Sequence, residues 1–231
     1  MTVGVTVIPE LAVRNVAAAE VMLRDVFGFR ADGPVMRLGD QAVALVAMEA
    51  VAGHGKIDHL ALAVDDVDVA LAGLLARGAR LDATTPDGPR EIAEFWGTGV
   101  RYVFLEGPEG ARIELCARLG GAVRGEAEQG ALPGHEHLGI PCADIAATEA
   151  FFLSLGFVRL AANELVRPDG VTLVRFLVAG SSVVELYEPP ALRGKAVAFA
   201  EVALWSGMRL TGTSLVQGVR QGPEGLRVTV V

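Results

Sequence analysis

The chain has 231 residues, 52% of them hydrophobic, and its 20 basic and 28 acidic side chains give a formal net charge of −8. This length can bury one large core or two smaller ones, as expected of a globular protein. Negative charge repels a phosphate backbone, so we expect no nucleic-acid partner. No apolar run approaches the roughly 20 residues that span a bilayer. The N-terminal sequence also lacks the features of a signal peptide, so we expect a soluble cytoplasmic protein with no membrane partner.

The two cysteines, Cys116 and Cys142, do not form a CxxC pair. Neither a disulfide framework nor a zinc-thiolate site is therefore indicated. Both residues lie in apolar segments with the character of strands, and we interpret them as small buried side chains.

One order of elements, a strand followed by a helix and three further strands, recurs along the chain. The first unit, residues 1–55, has a strand candidate at 3–11 and an amphipathic helix at 15–27 that Asn15 can cap. Its Gly39-Asp40 pair predicts a hairpin turn. The second unit, residues 56–118, has a helix at about 66–77. It ends in two strands joined by Gly107-Pro-Glu-Gly110, the clearest hairpin in the sequence.

A polar, glycine-rich segment at 119–133 is predicted to be a linker or loop. The third unit, residues 134–190, begins with a strand and a helix capped by Asp144, and ends with strands at 171–179 and 182–188. The fourth unit, residues 191–231, is degenerate, and the sequence leaves open whether 196–205 is strand or helix. Its ending repeats that of unit two almost residue for residue, with Thr229 where unit two has Glu114.

Units two and three carry the same polar residues within apolar strands: His59 and His137 in the first strand, Glu114 and Glu185 in the last. A single such histidine or glutamate is ordinarily solvated or hydrogen-bonded. The recurrence of both residue types at equivalent positions of two units favours a common function for the four side chains. A carboxylate facing a packed core needs a cation or water. Two imidazoles and two carboxylates suit one divalent ion, with Zn, Ni, Co, Mn and Fe all open. His135 shares a strand face with His137 by the period of two, so it is a candidate supporting residue or alternate ligand.

A histidine strand, an Asp-capped helix, Leu-Gly-Phe and hairpins ending in Ile-Glu-Leu or Val-Glu-Leu resemble the βαβββ modules of the vicinal oxygen chelate superfamily. That group includes glyoxalase I, methylmalonyl-CoA epimerase, extradiol dioxygenases and bleomycin resistance proteins. The resemblance implies an α+β fold in which repeated modules form curved, eight-stranded mixed sheets, or cups, with helices packed outside.

By this resemblance, the metal ligands are His59, Glu114, His137 and Glu185. Modules two and three are then expected to share the metal cup, while modules one and four pair without ligands. Pairing one with two and three with four would leave only half a site in each cup. Monomer and homodimer both stay open.

Four further residues are candidates for contact with a small-molecule substrate. If Glu106 and Ala111 flank the hairpin turn, Arg101 shares the face of the ligand Glu114 and could bind an anionic group; the alternative is a rim arginine. Phe176 and Tyr187 would flank Glu185, either lining the cup or packing structurally. Trp96 lies in a glycine-containing loop that is either a lid or a closure of the core.

The implied activity is that of a metal-dependent lyase or isomerase of the glyoxalase type. Its substrate would be a small α-oxygenated carbonyl compound or its thiol conjugate, reacting through a metal-stabilised enediolate. Glu185 is then the expected base and Glu114 its opposite catalytic partner. The alternatives are an Fe(II) extradiol dioxygenase and a small-molecule binding or resistance protein.

Overall fold

A computed structural model describes residues 5–50, 56–120, 134–195 and 204–231. In chain order its elements are β1 (Thr6–Val13), α1 (Val16–Asp25), β2 (Arg30–Asp32), β3 (Val35–Leu38), β4 (Gln41–Ala47), β5 (His59–Ala63), α2 (Val67–Ala76), β6 (Arg90–Ile92), β7 (Val100–Glu106), β8 (Arg112–Arg118), β9 (Gly134–Pro141), α3 (Ile145–Ser154), β10 (Val158–Arg167), β11 (Gly170–Ala179), β12 (Ser182–Glu188), β13 (Trp205–Thr211), β14 (Gly218–Gln221) and β15 (Arg227–Val230). Among these residues, no helix combines the length and the apolar character needed to cross a membrane.

The strands form two mixed sheets, and helices pack beside them in the α+β arrangement expected from the sequence. One sheet has seven strands in the order β14-β15-β13-β1-β4-β3-β2. The other has eight, in the order β10-β11-β12-β9-β5-β8-β7-β6. The eight-stranded sheet is therefore built from the strands between residues 59 and 188, and the seven-stranded sheet from the two ends of the chain.

Each α-helix begins at a polar residue whose side chain satisfies free backbone N–H groups. Asn15 accepts a hydrogen bond from the N–H of Ala18 at 3.0 Å, and Asp144 accepts one from Ala147 at 3.0 Å. Asp66 accepts two, at 2.8 and 3.1 Å. The structure confirms the three helices expected from the sequence, with ends one or two residues inside the predicted bounds for the first two.

Replacing Asp66 with Ala is expected to lower the free energy of unfolding by about 1 kcal/mol, because this cap satisfies two backbone donors. Urea denaturation measures the change. The matched control is Asp65→Ala, which removes an exposed carboxylate one residue earlier and should change the free energy by less than about 0.5 kcal/mol. An equal loss in both variants would show that capping is not the cause.

The main hydrophobic core contains side chains from both sheets and from all three helices. Hydrogen bonds also join the sheets, among them one from β1 and one from β13. The N–H of Val7 donates to Ser182 Oγ at 2.9 Å, and Trp205 Nε1 donates to the carbonyl of Arg112 at 3.1 Å. The two sheets are thus packed as one body, and the seven-stranded sheet directly supports the start of β8.

The sequence alone does not delimit two segments. The first is β10, the strand that follows the helix of the third unit, although the repeating order of elements requires a strand there. In the fourth unit, the first strand is β13, which begins at Trp205. Most of the ambiguous segment before it, residues 196–203, lies outside the described residues, as do 121–133 of the predicted linker.

Candidate metal centre

Four buried polar side chains come from the four central strands of the eight-stranded sheet. In the order β12, β9, β5, β8, these strands carry Glu185, His137, His59 and Glu114. Strands β5 and β9 are antiparallel neighbours, and each has a parallel partner on its outer side. The two His-Glu pairs therefore approach each other from opposite halves of one concave surface, which we call the cup.

The atoms that could bind a metal lie close together. His59 Nε2 is 3.1 Å from His137 Nε2 and 3.1 Å from Glu114 Oε2. Glu185 Oε2 is 3.2 Å from His137 Nε2 and 3.9 Å from His59 Nε2. Ligands about 2.1 Å from one cation are about 3.0 Å apart at a right angle and about 3.4 Å apart in a tetrahedron. The separations of 3.1 and 3.2 Å fall in this range, whereas the 3.9 Å between Glu185 and His59 exceeds it.

Three of the four candidate ligands lie closer together than the fourth, Glu185. His59, Glu114 and His137 each offer a ligand atom within 4.8 Å of the others. Glu185 approaches this triad from the side of His137, and its side chain is the more exposed of the two glutamates, at 11% against 6%. The donor set of two imidazoles and one or two carboxylates, without sulfur, fits a divalent transition metal.

An aspartate fixes the orientation of the first histidine. Asp58 Oδ2 lies 2.8 Å from His59 Nδ1, the ring nitrogen that faces away from the cluster. Arg112 Nη1 in turn donates to both oxygens of Asp58, at 2.7 and 2.8 Å. A carboxylate on the outer nitrogen fixes the tautomer and makes the inner nitrogen a better metal ligand. His59 is therefore held in an orientation that directs Nε2 toward the other candidate ligands.

The second histidine has the same support. Glu136 Oε2 hydrogen-bonds to His137 Nδ1, and Arg118 donates to Glu136 Oε1 through Nε at 2.9 Å and Nη2 at 2.6 Å. We call Asp58 and Glu136 the backing carboxylates. Both precede their histidine directly in the sequence, and that repeated acid-His pair was the signal that could have revealed them. A regular strand would place the acid and the histidine on opposite sides, so the pair alone does not predict their contact.

A bulge in β9 explains how Glu136 reaches its neighbour. On β5, Ala61 is paired with His137 and Leu62 with His135, which leaves Glu136 without a cross-strand partner. Such an extra residue interrupts the alternation of side chains. As a result, Glu136 and His137 both line the cup.

The same bulge shows that the interpretation of His135 was wrong. His135 Nδ1 contacts Gln41 Oε1, and its Nε2 accepts a hydrogen bond from the N–H of Val183 at 3.0 Å. Burial lowers its pKa to about 4, so it is a neutral structural residue. The period of two failed because the bulge inserts one residue between the two histidines.

A glycine makes room for His59. Gly139 lies opposite His59 on the neighbouring strand. A Cβ atom at this position would lie 1.9 Å from His59 Cε1 and 2.3 Å from its Nε2. Any larger residue would therefore push the imidazole out of its present position.

Charge at the centre is arranged to attract a cation. Burial alone would lower the pKa of His59, but hydrogen bonds to Asp58 and Glu114 raise it to about 9. Burial likewise opposes the shift in His137, but the charge of Glu185 and hydrogen bonds to Glu114 and Glu136 raise its pKa well above the usual value. Both imidazoles thus lie in a field that stabilises positive charge.

The formal charges around the two imidazoles also favour a bound cation. Four buried or nearly buried carboxylates contact the two imidazoles, and two arginines contact these carboxylates. With neutral imidazoles, the group carries two uncompensated negative charges, the amount that one divalent cation would balance. The residues counted are Asp58, Glu114, Glu136, Glu185, Arg112 and Arg118.

A cavity of about 300 Å³ opens onto the four candidate ligands, and three of the four predicted substrate-contact residues line it: Phe176, Tyr187 and Trp96. Phe176 lies opposite Glu185 as expected. Trp96 packs on Phe176 with ring centroids 4.5 Å apart, and the guanidinium of Arg118 lies 3.8 Å from its centroid. Burial, and then the nearby charge of Asp58, raise the pKa of Tyr187.

The prediction for Arg101 was wrong. Phe104, not Val103, lies opposite Glu114, so the hairpin register differs from the expected one by one residue. Ala111 belongs to the turn, where its carbonyl accepts a hydrogen bond from the N–H of Gly107 at 2.7 Å. Arg101 consequently faces the outside of the sheet and forms ion pairs with Asp68 and Glu91.

Both cysteines are buried free thiols. Burial raises the pKa of Cys142 to about 12, and burial together with the charge of Glu114 raises that of Cys116 well above its usual value. Only the thiolate is reactive. We expect neither cysteine to react with a thiol reagent at neutral pH in the native protein, and both to react in denaturant. Titration with a chromogenic disulfide measures this, and rapid native labelling of either thiol would contradict it.

No protein-family model and no curated protein sequence matches the chain. Solved structures match almost its whole length. Glyoxalase I from Zea mays aligns with a TM-score of 0.63 at 13% identity, over 98% of this chain and 92% of that chain. A protein from Bacillus subtilis assigned to the dioxygenases aligns with a TM-score of 0.60 at 14% identity, over 99% and 84% of the two chains. At these identities, the similarity shows a shared fold.

Proposed function

We propose that this protein, which has the fold of the vicinal oxygen chelate superfamily, is a metal-dependent lyase or isomerase of the glyoxalase type. The observation that carries the proposal is the convergence of His59, Glu114, His137 and Glu185, with nitrogen-oxygen separations of 3.1 to 3.9 Å. Its substrate would be a small α-oxygenated carbonyl compound or its thiol conjugate. The structural similarity to glyoxalase I from Zea mays supports the same class.

The chain would hold one divalent ion among Zn, Ni, Co, Mn and Fe with these four residues, while Asp58 and Glu136 keep the imidazoles oriented. When bound, such an ion stabilises negative charge that develops on substrate oxygens. The four side chains are only 5 to 11% exposed, and low exposure to water strengthens electrostatic interactions between them.

The two glutamates differ in their surroundings. Glu114 Oε2 is 3.1 Å from His59 Nε2 and 3.6 Å from His137 Nε2, so it lies between both imidazoles. Glu185 has one close imidazole, that of His137, and its side chain is the more exposed of the two. A general base must be able to reach the substrate, and it does so more easily when few other groups hold its carboxylate. Glu185 is therefore the better base, and Glu114 the firmer ligand.

Metal analysis and proton exchange test this proposal together. Plasma mass spectrometry of the purified protein should find one transition-metal ion per chain. Exchange of the carbon-bound α-protons of a simple hydroxyketone in D₂O should require that ion and stop after treatment with a chelator. Restoring the ion should restore exchange. A protein that binds no divalent metal, or exchanges protons equally well without it, would contradict the proposal.

The variant Glu185→Gln separates base from ligand. We expect it to retain metal but lose proton exchange by at least about 100-fold, the usual contribution of a positioned base. The control Glu164→Gln changes an exposed glutamate of β10 and should leave exchange unchanged. Unaltered exchange in Glu185→Gln would assign the base role to another residue.

One observation favours a second function. The compact triad of His59, Glu114 and His137 has the two-histidine, one-carboxylate composition used by non-haem Fe(II) oxygenases. The similarity to the Bacillus subtilis protein assigned to the dioxygenases points the same way. Oxygen consumption by the Fe(II)-loaded protein with a catechol would identify this activity. Its absence, with metal-dependent proton exchange present, would leave the lyase or isomerase.

A further inference from the structure

Six Phe, Tyr and Trp side chains form an aromatic wall in the cavity beside the candidate ligands. Phe104 lies opposite Glu114 and Phe176 opposite Glu185 in the strand pairing, so each glutamate has a phenylalanine beside it. Phe104 packs edge-on against His59 with centroids 5.0 Å apart, and Phe176 packs edge-on against His137 at 6.1 Å. Whatever binds beside the ligand atoms therefore contacts aromatic rings on two sides.

The loop between β6 and β7 extends this wall over the cavity. Phe95 is buried and packs edge-on against Phe176 at 5.2 Å, with Trp96 beside it. The loop is tied to β10 across the cavity, because Asn163 Nδ2 donates to the carbonyl of Glu94 at 2.9 Å. The aromatic surface is thus held in place, and the cavity volume of about 300 Å³ suits a small molecule.

The wall offers no spare positive charge. Among the described residues that line the cavity, Arg112 is the only lysine or arginine, and it already binds both oxygens of Asp58. One divalent ion would balance the two negative charges that remain among the carboxylates. The carboxylates of a glutathione conjugate, or the phosphates of a CoA thioester, would find no unpaired cation in this lining.

The two tyrosines of the cavity lie in different surroundings. Burial, and then the nearby carboxylate of Asp58, raise the pKa of Tyr187. Tyr102, which is half-buried, has no hydrogen bond from its hydroxyl to any described residue, and it lies beside Phe104 at 5.7 Å. It is therefore free to donate to an oxygen of a bound molecule.

From these contacts we infer that the substrate is a neutral, aromatic α-oxygenated ketone or aldehyde whose ring packs between Phe104 and Phe176 and whose outer oxygen accepts a hydrogen bond from Tyr102. This inference rests on the proposed function and narrows its substrate class. It excludes the charged thiol conjugates that the proposed function otherwise allows.

Calorimetric titration of the metal-loaded protein tests the inference with three probes. These are 2-hydroxyacetophenone, hydroxyacetone, which has the same two oxygens without the ring, and the glutathione thioester of lactic acid. The aromatic ketone should bind at least tenfold more tightly than hydroxyacetone and more tightly than the thioester. Equal binding of the two ketones, tighter binding of the thioester, or no binding of the aromatic ketone would overturn the inference.

Two variants locate the contacts. Phe176→Leu keeps an apolar side chain and should reduce the preference for the aromatic ketone at least threefold. Tyr102→Phe should weaken binding of 2-hydroxyacetophenone by about two- to tenfold, the range for one lost hydrogen bond. Val69→Ala, on the exposed face of α2, is the control and should bind like the parent protein. Unchanged binding and preference in both cavity variants would overturn the assigned contacts.

Metal content measured on the same samples separates the two conclusions. A protein that takes up no metal contradicts the proposed function itself. A protein that takes up one ion per chain but prefers hydroxyacetone or the thioester contradicts only the aromatic, neutral substrate class.

Discussion

Gly139→Ala is expected to weaken binding of a divalent metal by more than about 100-fold, beyond the 10- to 100-fold typical of a lost outer partner. The added Cβ would lie 1.9 Å from His59 Cε1, so the imidazole must leave its place although no ligand has been removed. Competition with a coloured chelator measures the affinity. Metal binding at the parental level would show that His59 is not a ligand in its present position.

Controls for this variant separate a local clash from general damage. Gly73→Ala, in α2, meets no atom within 4 Å of the added Cβ and should leave metal affinity unchanged. The double variant Gly139→Ala, His59→Ala removes both clashing groups. Because overpacking destabilises by about 1–3 kcal/mol, the double variant should be more stable than Gly139→Ala alone while still binding metal poorly. A double variant that is less stable would place the strain elsewhere.

The second large effect concerns the backing carboxylates. We expect Asp58→Ala and Glu136→Ala each to lower metal affinity by about 10- to 100-fold, because each histidine then loses the partner that fixes its tautomer. Glu136→Ala also removes the carboxylate partner of Arg118, and Asp58→Ala removes one of the two carboxylate partners of Arg112. Metal affinity and the visible spectrum of the Co(II)-loaded protein report the change at the ion itself.

Matched variants test whether charge or hydrogen bonding matters. Asp58→Asn keeps an acceptor oxygen for His59 and should recover part of the affinity lost in Asp58→Ala. Glu91→Ala removes a carboxylate that pairs with Arg101 on the outer side of the sheet, so it should leave both affinity and spectrum unchanged. If Glu91→Ala weakened metal binding as much as Asp58→Ala, a general change of charge would explain both.

Local signals were sufficient to predict much of this fold. Each helix start depends on one capping side chain and the three residues after it. The caps Asn15, Asp66 and Asp144 could therefore be recognised from the local sequence alone. The four candidate ligands were recognisable for a different reason. His59 and His137 recur in equivalent strands, and a polar residue repeated within apolar segments is rarely accidental.

The features that sequence could not supply depend on strand register. Because Ala111 belongs to the turn, Arg101 lies on the outer face of the sheet and not in the cup. Because Glu136 is bulged, His135 lies on the opposite side of the sheet from His137. A shift of one position reverses the side of the sheet on which a side chain lies. Pairing between distant strands determines such shifts, and no short pattern in this chain recorded it.

The two tryptophans of the chain occupy places that make them independent optical reporters. Trp96 lies in the cavity wall against Arg118 and Phe176, whereas Trp205 bridges the sheets through its bond to the carbonyl of Arg112. With one indole replaced by phenylalanine at a time, emission from the other would follow either ligand entry or separation of the two halves during unfolding. Without an attached dye, the two emissions can thus show whether ligand binding in the cup precedes or follows the packing of the two sheets against each other.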